Sequence, residues 1–144
     1  MIRVIFLKKI CLGNIWVKML ASVVILFSLM GTSAAYAAYW TVSQEKVAAG
    51  GAWSTFGSPN TKQSSSNQAS FNGDALPNSF GYNVWLINSN AGRRSDTVGL
   101  YKNSTSYAGN NSGLAGYSYY ADVRSKSYEP NDSVVTLHFS ANRK

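Results

Sequence analysis

The stretch Tyr117-Ser118-Tyr119-Tyr120-Ala121-Asp122-Val123-Arg124 has the clearest structural pattern in the chain. Its side chains alternate in character along the whole stretch. One face carries Tyr117, Tyr119, Ala121 and Val123, and the other carries Ser118, Tyr120, Asp122 and Arg124. A period of two is typical of a β-strand that buries one face and exposes the other. The stretch therefore predicts a half-buried strand.

The C-terminal segment repeats this alternation. Its apolar face is Val135, Leu137 and Phe139, and its polar face is Thr136, His138 and Ser140. Between the two segments lies Glu129-Pro130-Asn131-Asp132, whose residue types favour a turn. The two segments are therefore predicted to form a hairpin.

A second hairpin is predicted upstream. The segment Tyr82–Ile87 is apolar on both faces, which is typical of a central strand, and the loop Asn88–Gly92 returns the chain into Asp96–Tyr101. Two stretches lack such order, Ser58–Ser70 and Lys102–Gly113, and they are interpreted as loops or mobile edges.

The composition agrees with an all-β fold. Aromatic residues, Ser, Asn and Gly are frequent, whereas Lys and Glu are scarce, which favours strands joined by tight turns. No repeat or linker divides the chain. We therefore expect a single antiparallel β-sandwich or barrel-like domain of about six to eight strands after an N-terminal signal helix.

The first 37 residues have the three parts of an export signal. A basic region with four cations and no acid precedes the apolar run Met19–Met30, and small residues stand at Ala35 and Ala37. We predict a signal peptide over 1–37, with cleavage after Ala37, and a secreted domain over 38–144. The long basic region is typical of Gram-positive exporters. Cleavage after Ala35 and an uncleaved anchor over Met19–Ala38 are the alternatives.

Removal of the signal changes the charge and the thiol count. The signal holds Cys11, the only cysteine, and four of the 13 basic residues, so nine cations and six acids remain and the net charge falls from +7 to +3. No basic stripe of the kind that binds nucleic acid is left, and no nucleic-acid partner is expected. Membrane contact is expected only through the signal segment, if it is retained.

Catalytic and metal chemistry have little support. One histidine, His138, cannot supply a zinc site, and no cofactor or metal is predicted. The acidic stretches Asn131-Asp132 and Asn72-Gly73-Asp74 could offer oxygen ligands to calcium, but they are interpreted as turns. No catalytic residue is assigned, so the protein is predicted not to be an enzyme. A small secreted glycan-active enzyme is the remaining enzymatic alternative.

Binding is the class that remains. Exposed aromatic rings among Asn, Asp and Ser suit sugar rings, because the ring face meets C–H groups while polar side chains take the hydroxyls. Tyr120, Tyr107 and Trp53 are the candidate ligand-binding residues. We expect a secreted, extracellular interaction module whose partner is cell-wall glycan or another envelope surface. The specific ligand and the oligomeric state stay open.

The segment Gly50-Gly51-Ala52-Trp53-Ser54-Thr55-Phe56-Gly57 resembles the Gly-Gly-x-Trp-x-aromatic-Gly opening of lactococcin-type secreted bacteriocins. That resemblance implies a β-sandwich antibacterial protein acting at the cell envelope, which is the alternative function. The chain departs from that group in lacking its histidine-bearing segment and its aromatic tail. The region from Arg94-Ser95-Asp96 onward is similar in style to small exported Gram-positive proteins of unknown function.

Overall fold

The computed structural model describes residues 39–77 and 80–144. Eight strands and one short 3-10 turn, Ala49–Gly51, make up the regular structure of these residues. The strands are β1 (Thr41–Val47), β2 (Asn60–Thr61), β3 (Ala69–Ala75), β4 (Tyr82–Ile87), β5 (Val98–Leu100), β6 (Thr105–Ala108), β7 (Ser118–Ser125) and β8 (Ser133–Ser140). The all-β prediction is confirmed for this part of the chain.

The strands form two four-stranded antiparallel sheets that do not close into a single barrel. Sheet I has the order β1-β8-β3-β6, and sheet II has the order β2-β7-β4-β5. The predicted β4–β5 hairpin is confirmed, with Val84 opposite Val98. The central position of β4 is also confirmed, because β7 pairs with its other edge and places Ala121 opposite Leu86.

The predicted hairpin between the two alternating segments is wrong. The strands β7 and β8 lie in different sheets, so the connection through Glu129–Asp132 crosses from one sheet to the other. Each strand obtains its partners from distant sequence: β8 pairs with β1 and β3, and β7 pairs with β2 and β4. A short connection favours local pairing, but both edges of β7 and of β8 are already occupied.

Two further expectations need correction. Tyr117 precedes β7 and is 63% exposed, whereas Tyr119, Ala121 and Val123 are buried as predicted. The stretches interpreted as loops contain β2, the start of β3 and all of β6, which pairs with β3 at the edge of sheet I. Their small polar side chains hide the strand pattern, because no apolar alternation marks them.

The two sheets share one apolar core. It includes Phe71, Leu137 and Phe139 from sheet I and Val84 and Leu86 from sheet II. The rings of Phe71 and Phe139 stack with centroids 6.0 Å apart. Truncating such a ring to alanine costs about 3 to 5 kcal/mol, because transfer energy is lost and a cavity remains.

Polar residues close one end of the fold around the last residues of the chain. Asn60 is fully buried, and its side chain accepts a hydrogen bond from Ala141 N at 2.8 Å and donates to Tyr39 O at 3.0 Å and Thr41 Oγ1 at 2.9 Å. The ammonium group of buried Lys62 donates to Ala141 O at 3.1 Å. The Ser- and Asn-rich stretch after Pro59 is therefore a polar clamp on the C-terminal residues.

Candidate functional site

The segment Trp53–Gly57, which we call the bridging segment, contacts β1 at the edge of sheet I and β7 in sheet II. On sheet I, Thr55 N donates to Lys46 O at 3.0 Å, and Lys46 N donates back to Thr55 Oγ1 at 3.0 Å. On sheet II, Val123 N donates to Ser54 Oγ at 3.1 Å. These bonds fix the backbone between Trp53 and Phe56, so both aromatic side chains are held by a structured edge.

Glycines allow the chain to enter and leave the bridging segment. Gly50 and Gly51 have φ angles of 69° and 76°, a region that side chains with a Cβ rarely adopt. A Cβ on Gly57 would lie 2.1 Å from Ser43 Oγ and 2.6 Å from Glu45 Oε1. Gly50, Gly51 and Gly57 therefore have local structural roles.

Trp53 stands half exposed beside a stack of aromatic and cationic groups. Its indole is 49% exposed and meets the indole of Trp85 edge to face, with centroids 6.1 Å apart. The guanidinium carbon of Arg124 lies 4.1 Å from the Trp53 ring centroid and 4.8 Å from that of Trp85. Cation–π attraction to both rings positions the guanidinium and limits the movement of Trp53.

A groove of about 450 Å³ opens on the same residue. Its lining comprises Lys46, Val47, Ala48, Trp53, Thr55, Asp132, Ser133 and Val134. An aromatic wall, a cation, a carboxylate and two hydroxyl groups thus share one concave surface. Asp132 is fixed there because its Oδ1 accepts a hydrogen bond from Ala49 N at 2.8 Å. Such a lining suits a ligand that combines apolar ring faces with hydroxyl or amide groups.

Two buried carboxyl groups lie beneath the bridging segment. Glu45 is fully buried, and its Oε1 accepts a hydrogen bond from Ser43 Oγ at 2.7 Å. Desolvation, reinforced by the charge on Asp122, raises the pKa of Glu45 to about 7. Desolvation also raises the pKa of Asp122, against the opposing effect of Arg124, whose Nε lies 3.6 Å from Asp122 Oδ2. The negative charge on the carboxyl groups beneath the bridging segment therefore depends on pH.

The three aromatic residues singled out from the sequence lie in different surroundings. Tyr120 is half-buried on the outer face of sheet II, where its ring packs on Phe56 with centroids 5.3 Å apart. It thus contacts the same bridging segment that carries Trp53. Tyr107 lies on β6 in sheet I, 42% exposed, with the Arg143 guanidinium carbon 5.3 Å from its ring centroid. The structure records no contact between the Tyr107 ring and either of the other two.

His138 lies on the outer face of sheet I, as its place in the alternation predicts. Its Nδ1 lies 2.6 Å from Asp74 Oδ1, and its ring meets the indole of Trp40 edge to face at 4.7 Å. Asp74 is therefore engaged with the imidazole. Within residues 39–77 and 80–144 there is no group of three or more His, Cys, Asp or Glu side chains that could hold a metal, and no helix suited by length and hydropathy to cross a membrane.

The sequence does not indicate Trp85, Arg124 or Lys46 as parts of a site, and it indicates Asp132 only as an oxygen ligand for calcium. The alternation does place Arg124 on the polar face of β7, and the β4–β7 pairing puts Trp85 opposite Asp122 on that face. The sequence alone does not show that β4 pairs with β7, and only this pairing brings Trp85 and Arg124 to one face. The predicted signal residues Ala35 and Ala37 lie outside the described residues.

Comparison with known proteins identifies no relative: no protein-family model, curated protein or solved structure matches this chain. The function must therefore be argued from the residues and their geometry.

Proposed function

We propose that the protein is an exported, non-enzymatic binding module that acts at the bacterial envelope or outside the cell. Its ligand-binding surface is the groove beside Trp53, and its partner class is cell-wall glycan. Export rests on the signal-like order of the first 37 residues. The N-terminal residue of protein recovered from culture medium tests this part: Ala38 is expected, and an intact Met1 contradicts cleavage.

The observation that carries the proposal is the composition of the groove. Trp53 supplies an exposed aromatic surface, while Lys46, Thr55 and Asp132 supply a donor, a hydroxyl group and an acceptor around it. A sugar ring has C–H faces and hydroxyl groups at its edge, so the indole ring can pack on a C–H face while the polar side chains bind the hydroxyl groups. Because the bridging segment is hydrogen-bonded to both sheets, ligand binding requires little ordering of the loop.

A sedimentation assay with insoluble peptidoglycan that retains its wall polysaccharide tests the proposal. The full-length protein is expected to pellet with the wall, and Trp53→Ala is expected to weaken retention roughly five- to tenfold, since a stacking contact is lost. Tyr117→Ala is the matched control, because it removes an aromatic ring that is 63% exposed and does not line the groove.

Two outcomes contradict the proposal. One is retention no greater than that of an unrelated secreted β-domain, and the other is equal retention of the Trp53→Ala and wild-type proteins. The thermal midpoint of each variant is measured alongside, so that a loss of binding is not mistaken for a loss of folding. Growth inhibition of related strains by the purified protein would instead favour the bacteriocin-like alternative.

A further inference from the structure

The outer face of sheet II collects positive charge around two indoles. Arg93 and Arg124 both place their guanidinium carbons near the Trp85 ring, at 5.5 Å and 4.8 Å from its centroid. Lys126 extends the same face and donates to Asn83 Oδ1 at 2.9 Å. We call Arg93, Arg124, Lys126, Trp53 and Trp85 the cationic face.

The cationic face carries donors that the protein itself leaves unused. Trp85 is 8% exposed, and among the described residues its Nε1 has no hydrogen-bond partner. The buried Nε of Arg124 forms an ion pair with Asp122 Oδ2 at 3.6 Å, a distance longer than a hydrogen bond. Both nitrogens are shielded from solvent, so an external acceptor would meet exposed Arg93 and the guanidinium group of Arg124, whose side chain is 26% exposed.

The charge balance favours an anion. Three cations occupy the face, and Asp122 is the acid that contacts Arg124. A guanidinium group holds its N–H donors in one plane in a fixed fork, and that arrangement matches the oxygens of phosphate.

We propose that the cationic face binds phosphodiester groups carried by an envelope polymer, next to the glycan groove. This inference rests on the proposed function through Trp53, which belongs to both surfaces. The ligand would thus be a wall polymer that presents sugar or polyol units to the groove and phosphates to the arginines.

The test uses three probes with the protein recovered from culture medium: a purified polyol-phosphate polymer, neutral dextran, and vesicles containing phosphatidylglycerol. We expect the polymer to bind, dextran to bind at least tenfold more weakly, and polymer binding to weaken as the salt concentration rises, because the contacts are ionic. Arg93→Gln and Arg124→Gln should each weaken polymer binding about tenfold.

Lys102→Gln is the matched control, because it removes the same charge from an exposed residue outside the cationic face and should change binding less than twofold. Arg124→Lys, which keeps the charge but loses the planar group, should fall between wild type and Arg124→Gln. Arg93 is exposed, so its variant should fold even if Arg124→Gln does not.

Three results would overturn the inference: equal binding of polymer and dextran, binding to vesicles alone, or arginine variants that bind the polymer like Lys102→Gln. If phosphate-free peptidoglycan still retains the wild-type protein and Trp53→Ala weakens that retention, the proposed function stands without the phosphate contact. If neither the wall nor the polymer is bound, the proposed function fails as well.

Discussion

Glu45 is a buried carboxyl group that faces a second carboxyl group, on Asp122. In the folded protein the pKa of Glu45 is raised to about 7, above an ordinary value of 4.5, chiefly by desolvation. Between these two pH values the folded protein holds a proton that the unfolded chain releases. The contribution of Glu45 to the free energy of unfolding is therefore largest below pH 4.5 and is lost as the pH rises through 7.

The size of this effect follows from the shift. A change from 4.5 to about 7 corresponds to roughly 3 kcal/mol. Between pH 4.5 and 7, the wild type should therefore lose roughly 3 kcal/mol of unfolding free energy relative to Glu45→Gln. Urea denaturation of both proteins at the two pH values measures this change. A difference that stays constant with pH would contradict this account of Glu45.

The burial of Glu45 also explains why hydrophobic alternation does not predict β1. The inward face of β1 carries Ser43, Glu45 and Val47, while Val42 is 64% exposed. Hydrophobic alternation therefore assigns the faces incorrectly or finds no strand. The buried hydroxyl group of Ser43 accepts a hydrogen bond from Ser58 N, directly after the bridging segment, at 2.9 Å. A pattern based on hydrophobicity cannot anticipate partners that arrive from a distant loop.

The polar clamp is the element that most changes how the Ser-rich stretch is understood. Its composition predicts a loop or mobile edge, yet Asn60 and Lys62 are fully buried and bond to the chain around Ala141. Burial lowers the pKa of Lys62 to about 8. Amide and ammonium groups close this end of the fold in place of a disulfide, which agrees with the cysteine-free composition of residues 38–144.

Asn60 gives the sharpest test of the clamp. Replacement by alanine removes three hydrogen bonds and leaves buried backbone groups without partners, so we expect Asn60→Ala to lower the free energy of unfolding by about 3 kcal/mol. Asn90→Ala, on an exposed loop, should change it by less than about 0.5 kcal/mol. Denaturant unfolding measures both variants, and equal stability would show that the clamp contributes little.

Strand identity was more accessible from the sequence than strand partnership. The segments that form β4, β7 and β8 alternate or are continuously apolar, so the burial of their apolar residues follows from local composition. The burial of Asp122 and Ser140, which lie on the predicted polar faces, does not. The pairing of β8 with β1 and β3 depends on contacts between distant parts of the chain, and hydrophobic alternation does not predict such contacts. The same limitation applies to the site, because Trp53, Arg124 and Trp85 meet only after sheet II has assembled.

For the whole molecule, the proposed function depends on Trp53 and the groove rather than on the other exposed aromatic residues. Trp40 offers an internal comparison, since it lies against His138, outside the groove lining. If the groove is the binding surface, a ligand should therefore contact Trp53 and leave Trp40 unaffected.

The most direct measurement is the nuclear magnetic resonance spectrum of the ¹⁵N-labelled full-length protein during titration with soluble wall-glycan fragments. The indole N–H signal of Trp53, identified by its absence in Trp53→Phe, is expected to shift in a saturable manner while that of Trp40 stays in place. A titration in which Trp53 does not respond, or in which Trp40 alone responds, would contradict the assignment of the groove as the binding surface.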